Sequence, residues 1–288
     1  MKESFNLLTV DLEEWFVVEA LRSRFPVEKW DELPSTLVKN TRRLLDMFHR
    51  KDVMATFFVL GWCAERYPNL VAEIAERGHE ISCHSYSHRR VDSLGPEEFR
   101  KDTMRAMDAL IRAIGTRPRG YRAPSWSISN NVPWAFETLA DLGFDYDSSI
   151  FPIKHDLYGM PHGPRTLFRM KFPDDKYLYE MPASTYNLMG KNIPVAGGGY
   201  LRHCPYWYSK MVIRSLNRGG RPAVVYIHPW ELDPDPPVID GLSASQRLRT
   251  YGSTNILAAK MDRLLSDFHF TTMSHYIAAS RRQQIGFH

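Results

Sequence analysis

Short β-branched or aromatic runs alternate along the chain with longer amphipathic stretches, and this alternation restricts the possible folds more than any other feature of the sequence. Parallel strands cannot be joined by a tight turn. They need a crossover, usually a helix, so a repeated strand-helix-strand order implies βαβ units. Phe5–Leu12 reads as a strand, Ser35–Arg50 as a helix, Val53–Leu60 as a strand, and Trp62–Arg77 as a helix stopped by Gly78. His79–Cys83 is strand-like. The helix after Ser93-Leu-Gly carries Pro96, Glu97 and Glu98 in its first turn, where unpaired amides and the helix dipole favour them. The order continues with a strand near Gly120–Arg122, a helix over Val132–Leu142, a strand at Phe144–Ser148 and a helix over Tyr206–Arg218. A strand at Ala223–His228, a helix over Thr254–Phe268 and a strand at Phe270–Met273 complete it. About seven such units predict an α/β barrel.

The stretch 150–200 breaks the rhythm. It is rich in Pro and Gly and carries two short strand-like runs, Thr166–Phe172 and Tyr177–Ala183, so it is expected to be an elaborated loop or insertion on a single domain spanning residues 1–288. Lys and Arg number 37 against 33 Asp and Glu, a net charge of +4 with the basic pairs scattered, which leaves no nucleic-acid footprint. Cys63, Cys83 and Cys204 are an odd count without CxxC spacing, so neither a disulfide framework nor a cysteine zinc cage is expected, and a reducing compartment fits. Asp11, Glu13 and Glu14 interrupt the window where a secretory signal would be apolar, and no later segment approaches the ~20 apolar residues of a membrane span. The expected location is the cytoplasm, or the periphery of the inner membrane through partners. The oligomeric state is not legible.

His84-Ser-Tyr-Ser-His88 is the sharpest local pattern, because two imidazoles four residues apart in a turn-like segment can converge on one cation. Taken alone, two surface histidines would explain it as well. Its position argues otherwise. In parallel barrels functional groups gather at the C-terminal strand ends, and there fall Asp11 and Glu13, then His84, Arg122, Asp147 and His228 in turn. Charged residues at so many strand ends are hard to explain as packing.

Thr9-Val-Asp-Leu-Glu, His84-Ser-Tyr-Ser-His88, Arg122-Ala-Pro-Ser-Trp, Tyr146-Asp-Ser-Ser and Tyr226-Ile-His-Pro-Trp stand in an order and spacing that resemble the NodB-homology polysaccharide deacetylases, from Leu8 to about residue 275. The segments His228-Pro-Trp-Glu-Leu-Asp-Pro, Glu180-Met-Pro, Gly197-Gly-Gly-Tyr and Asp267-Phe-His-Phe look like the subgroup linked to exosortase-associated exopolysaccharide loci. The resemblance implies a distorted (β/α) barrel with one divalent metal ion, hydrolysing an N-acetyl group from an amino sugar or carrier-linked glycan; a ligand set of two imidazoles and one carboxylate points to Zn2+ as the ion. It further implies His84 and His88 as metal ligands, Asp11 as general base, Arg122 as the arginine that orients Asp11, and His228 as general acid. Asp147 is preferred over Asp145 as the carboxylate that tunes His228. The related alternatives are a barrel hydrolase acting on a ureide or formamido sugar, and a barrel that binds glycan without turnover.

The chain departs from the common pattern at two places: Leu12 follows Asp11 where secreted members carry a second aspartate, and Ser125 separates Pro124 from Trp126. The third metal ligand is expected to be Glu13 rather than Glu14, since strand alternation sends Asp11 and Glu13 to one side and Leu12 and Glu14 to the other. Trp126, Tyr200 and Trp230 either stack on sugar faces or cap the core. His79 is expected to be a structural histidine, and Cys83 a packed one.

Overall fold

Phe5–Leu12 (β1) has partners on both edges, so a near-continuous apolar run can be buried along almost its whole length. The computed structural model describes residues 4–155, 158–243, 247, 251–252 and 254–285. β1 pairs in parallel with Thr56–Val59 (β2), and on its other edge with Val224–Ile227, joining the two ends of the chain. The sheet continues in parallel through Glu80–Cys83 (β3), Gly120–Tyr121 (β4), Tyr146–Asp147 (β5) and Tyr177–Glu180 (β7), and ends on an antiparallel strand, Phe168–Lys171 (β6). Thr185–Leu188 (β8) and Lys191–Pro194 (β9) form a separate hairpin; Val224–Ile227 is β10, and His269–Thr271 (β11) pairs with the start of β1. The result is a curled, mostly parallel sheet of the expected distorted-barrel kind, with a main hydrophobic cluster that includes residues from Leu8 to Phe270 and two smaller ones beside it.

The opening between β7 and β10 is bridged by loop atoms. Val224 N–H donates to Ser184 Oγ at 2.7 Å and Tyr226 N–H to the Ala196 carbonyl at 3.1 Å. Gly197 lies directly against β10, where a Cβ would stand 1.8 Å from Tyr226 Cε1, so no larger residue fits that seam.

Two sequence expectations change. The stretch 150–200 is only partly insertion, because β7 is a wall strand paired with β5. The helix expected over Trp62–Arg77 is two: after Leu37–Arg50 (α1) come Gly61–Arg66 (α2) and Pro68–Glu76 (α3), broken where Pro68 starts a new helix. Pro96–Ile114 (α4) packs on both. The hairpin β8–β9 and the helix Met273–Ile285 carry no strong apolar period and went unread. Among the described residues no helix is long and apolar enough to cross a membrane.

Candidate active site and metal centre

β1 brings two carboxylates to the rim where the parallel strands end. Leu12 turns into the core, and Glu14 turns away, accepting the Thr36 N–H at 3.3 Å. Asp11 and Glu13 face the cleft together, as alternation requires.

Beyond β3 the chain folds back through His84–His88, with Ser85 and His88 in the left-handed region (φ 65° and 52°). This turn sets both imidazoles against Glu13: Oε2 lies 2.8 Å from His88 Nε2 and 3.7 Å from His84 Nε2, and the three donor groups lie within 4.8 Å of one another. His84 Nδ1 faces the Arg122 carbonyl at 2.8 Å, and since a carbonyl only accepts, a proton sits on Nδ1 and Nε2 is the ring atom left to ligate on the Glu13 side. Glu13 Oε2 is buried, yet off the axis of any hydrogen bond. Burial works to raise the Glu13 carboxyl, but the charges of His88 and His228 hold it well below the usual carboxylate range. Two imidazoles and an ionised carboxylate with an unsatisfied oxygen fit a divalent cation.

Asp11 is locked from the other side. Arg122, fully buried, donates to Asp11 Oδ1 at 2.7 Å and to Thr9 Oγ1 at 2.9 Å, and its other nitrogens reach the Ser148 carbonyl and hydroxyl at 3.2 Å. Its guanidinium lies 4.0 Å from the ring centre of Phe58 and 4.8 Å from that of Trp126. The Trp126 contact depends on a strained turn, with Ser125 and Trp126 both at φ 52°.

His228, at the end of β10, brings its Nε2 to 3.8 Å from Asp11 Oδ2 and 3.7 Å from Glu13 Oε1. Its Nδ1 lies 2.8 Å from Glu231 Oε2, which also accepts the His228 N–H at 3.0 Å. Glu231 in turn pairs through Oε1 with buried Arg202 at 2.9 Å. Trp230 stacks on the imidazole, centroids 5.2 Å apart. Burial opposes a charge on His228, but Glu231, Glu13 and Asp11 outweigh it and raise the imidazole to about 9. A cation beside Glu13 would cancel that residue's share and leave Glu231 as the main cause.

The expected role of Asp147 is corrected here: the carboxylate on His228 is Glu231. Asp147 instead accepts from Ser149 Oγ at 2.6 Å and from the Ser149 N–H at 3.2 Å, while Ser149 Oγ accepts the Ala123 N–H at 2.8 Å. Asp145 pairs with Arg119 at the surface. Asp147 sits opposite Glu180 on β7. Burial raises both, Asp147 to about 6 and Glu180 well above the carboxylate range, so Glu180 keeps the proton that the pair shares. The signal for Glu231 was present in the sequence: a Glu three residues after His228 has capping-box spacing, and His228 and Glu231 form that box.

The groups line one cleft of about 470 Å³, with Trp126, Tyr200, Tyr226 and Trp230 among its walls. Trp126 and Trp230 are nearly buried, so they pack and line the cleft at once. His79 is structural as expected: burial lowers it to about 4, and its Nδ1 accepts the Ala55 N–H. Cys83 is fully buried.

Residues 29–146 match the family profile described as polysaccharide deacetylase, and residues 148–278 match a domain of unknown function, DUF3473. His84, His88 and Arg122 fall in the first stretch and His228 and Glu231 in the second. The chain is 38% identical over 98 residues to a peptidoglycan-N-acetylglucosamine deacetylase from Bacillus cereus, covering 34% of this chain and 36% of that protein. The chain thus spans about a third of that curated relative's length. A solved structure assigned as a polysaccharide deacetylase from Mycobacterium smegmatis shares the fold at a TM-score of 0.63 and 21% identity, over 98% of this chain and 92% of that one. The PuuE allantoinase shares it at 0.60 and 15%, over 93% and 87%.

Proposed function

We propose that this chain, whose residues 29–146 match the polysaccharide deacetylase profile, is a metal-dependent hydrolase that removes N-acetyl groups from an amino-sugar unit of a glycan. One observation carries the reading: Glu13 set among two imidazoles, Asp11 locked to Arg122, and His228 Nε2 within 3.8 Å of both carboxylates, all in one cleft.

Glu13, His84 and His88 would hold a single divalent ion, most simply Zn2+ for this nitrogen and oxygen set. Bound there, the ion supplies polarisation of an amide carbonyl and lowers the pKa of a water from ~15.7 toward about 7. The protein's own groups move the protons. Arg122 occupies one oxygen of Asp11, and the other takes a proton from the attacking water as its oxygen bonds to the carbonyl carbon. The carbonyl π pair moves onto oxygen, and the backbone N–H of Ser125, a residue that lines the cleft, is the proposed donor to it. His228, held by Glu231, gives its proton to the sugar nitrogen as the C–N bond breaks, leaving acetate and a free amine.

A second, polar cleft of about 320 Å³ offers Ser129, Asn130 and Asn131 and shares Trp126, His155 and Tyr158 with the first. Room for a neighbouring sugar favours an oligomeric or carrier-linked glycan over a free monosaccharide. The finer reading, an exopolysaccharide substrate, rests on the sequence resemblance of the segments that contribute Glu180, Tyr200 and Glu231. Acetate release from N-acetylated sugar nucleotides, lipid-linked intermediates and oligomers, with a ureide as control, tests it. Turnover of the ureide alone, or no turnover by protein loaded with Zn2+, would overturn the proposal.

A further inference from the structure

Three donors of the segment between the two histidines converge on a single carboxylate that hydrogen-bonds neither of them. Asp102, in the second turn of α4, accepts three hydrogen bonds from consecutive residues: Ser85 Oγ at 2.7 Å, the Tyr86 N–H at 2.8 Å and Ser87 Oγ at 2.7 Å. We propose that Asp102 is the positioning residue of the metal centre, setting the spacing of His84 and His88 by fixing the backbone between them; this rests on the reading that Glu13, His84 and His88 hold a divalent ion.

The physical argument starts from strain. Ser85 and His88 both sit at positive φ, a conformation that costs about 1–3 kcal/mol per non-glycine residue and persists only where the surroundings over-determine it. Three hydrogen bonds to one carboxyl group provide that, since bonds to a carboxylate are roughly twice as strong as those between neutral groups. The carbonyls of the same loop are held from α2: the Gly61 N–H donates to the Ser85 carbonyl at 2.8 Å and the Trp62 N–H to the Tyr86 carbonyl at 3.1 Å. A Cβ at residue 61 would lie 2.7 Å from Ala106 Cα on α4, so the two helices must pack this closely for both clamps to reach the loop. The amides fix one side of the turn and Asp102 the other. Without Asp102, Ser85 and Tyr86 keep their carbonyl anchors but the segment can rotate about them, and the imidazoles at the two ends lose their fixed separation.

The test is the affinity of Asp102→Ala for Zn2+, measured by chelator competition, beside the parent and Asp102→Asn. An asparagine keeps an oxygen for Ser85 and Tyr86 and can donate to the Ser87 hydroxyl, so it should bind Zn2+ within about threefold of the parent, whereas alanine should weaken binding about 10–100-fold. The visible spectrum of the Co2+-loaded Asp102→Ala protein should differ from the parent's, which a merely structural role would not cause. Melting of the metal-free proteins in EDTA separates lost stability from lost affinity. If Asp102→Ala does not fold, Ser87→Ala removes one of the three bonds and should cost about two- to tenfold in Zn2+ affinity. Parent-like affinity and an unchanged Co2+ spectrum in the variant that folds would overturn this proposal alone. A parent protein that takes up no divalent ion would overturn the metal reading beneath it.

Discussion

On the proposed mechanism His228 delivers a proton, and Glu231, three residues away in the same short turn, is the group that keeps it on the imidazole. A general acid works only while protonated, so the rate should hold below the His228 pKa and fall as pH rises through it. Removing the carboxylate removes the main cause of the raised value. Glu231→Gln is expected to move the alkaline limb of the kcat profile to lower pH by about 1–3 units, and a limb that stays in place would show that Glu231 is not what holds the proton. Asp11→Asn should keep Zn2+ at parental stoichiometry and lose about 10²–10⁴-fold in kcat, since an amide cannot take the water proton; metal analysis beside initial rates checks both halves. At this scale the sequence was informative where chemistry has a fixed spacing. Asp11, Glu13, His84, His88, Arg122 and His228 meet because strand alternation and strand ends put them there. Asp147 misled because it occupies the same strand end, and only the partner strand reveals that its neighbour is Glu180.

Between strands β5 and β7 that neighbour is a directly opposed carboxyl, an arrangement that would repel if both groups were ionised. A carboxyl raised in the folded state binds more protons folded than unfolded, so its contribution to stability is complete below about pH 4 and is lost as pH rises through about 6 and beyond. Glu180→Gln keeps an acceptor for the Ile150 N–H and cannot ionise. Its melting temperature relative to the parent should therefore increase from pH 4 to pH 8; a constant difference would mean the pair shares no proton. At the seam, Gly197→Ala is expected to cost about 1–3 kcal/mol in urea unfolding, because the added methyl group collides with Tyr226. Elements with a strong apolar period were legible almost to the residue, as β1 and the helix Tyr206–Arg218 show. β7 was legible as a strand but not as wall, because pairing with a strand about thirty residues earlier leaves no local trace.

Across the whole molecule, the residues expected to hold the ion come from the end of β1, just past Leu12, and from the loop after β3, so the ion would join parts of the barrel that are distant in sequence. A ligand present at 100 times its dissociation constant stabilises by about 2.7 kcal/mol. EDTA should lower the melting temperature by about 5 °C, Zn2+ should restore it, and His84→Ala should show no such response. The pairing of β1 with β10 has another consequence, for the chain while it is being made. β2 can cover one edge of β1 early, but the other stays bare until residue 224 has left the ribosome. At 5–20 residues per second that is an interval of about 10–30 s in which an apolar strand offers an unpaired edge to any other nascent chain. His228 emerges directly behind the strand that closes that edge, so on the proposed mechanism the acid joins the site only once β1 is covered on both sides.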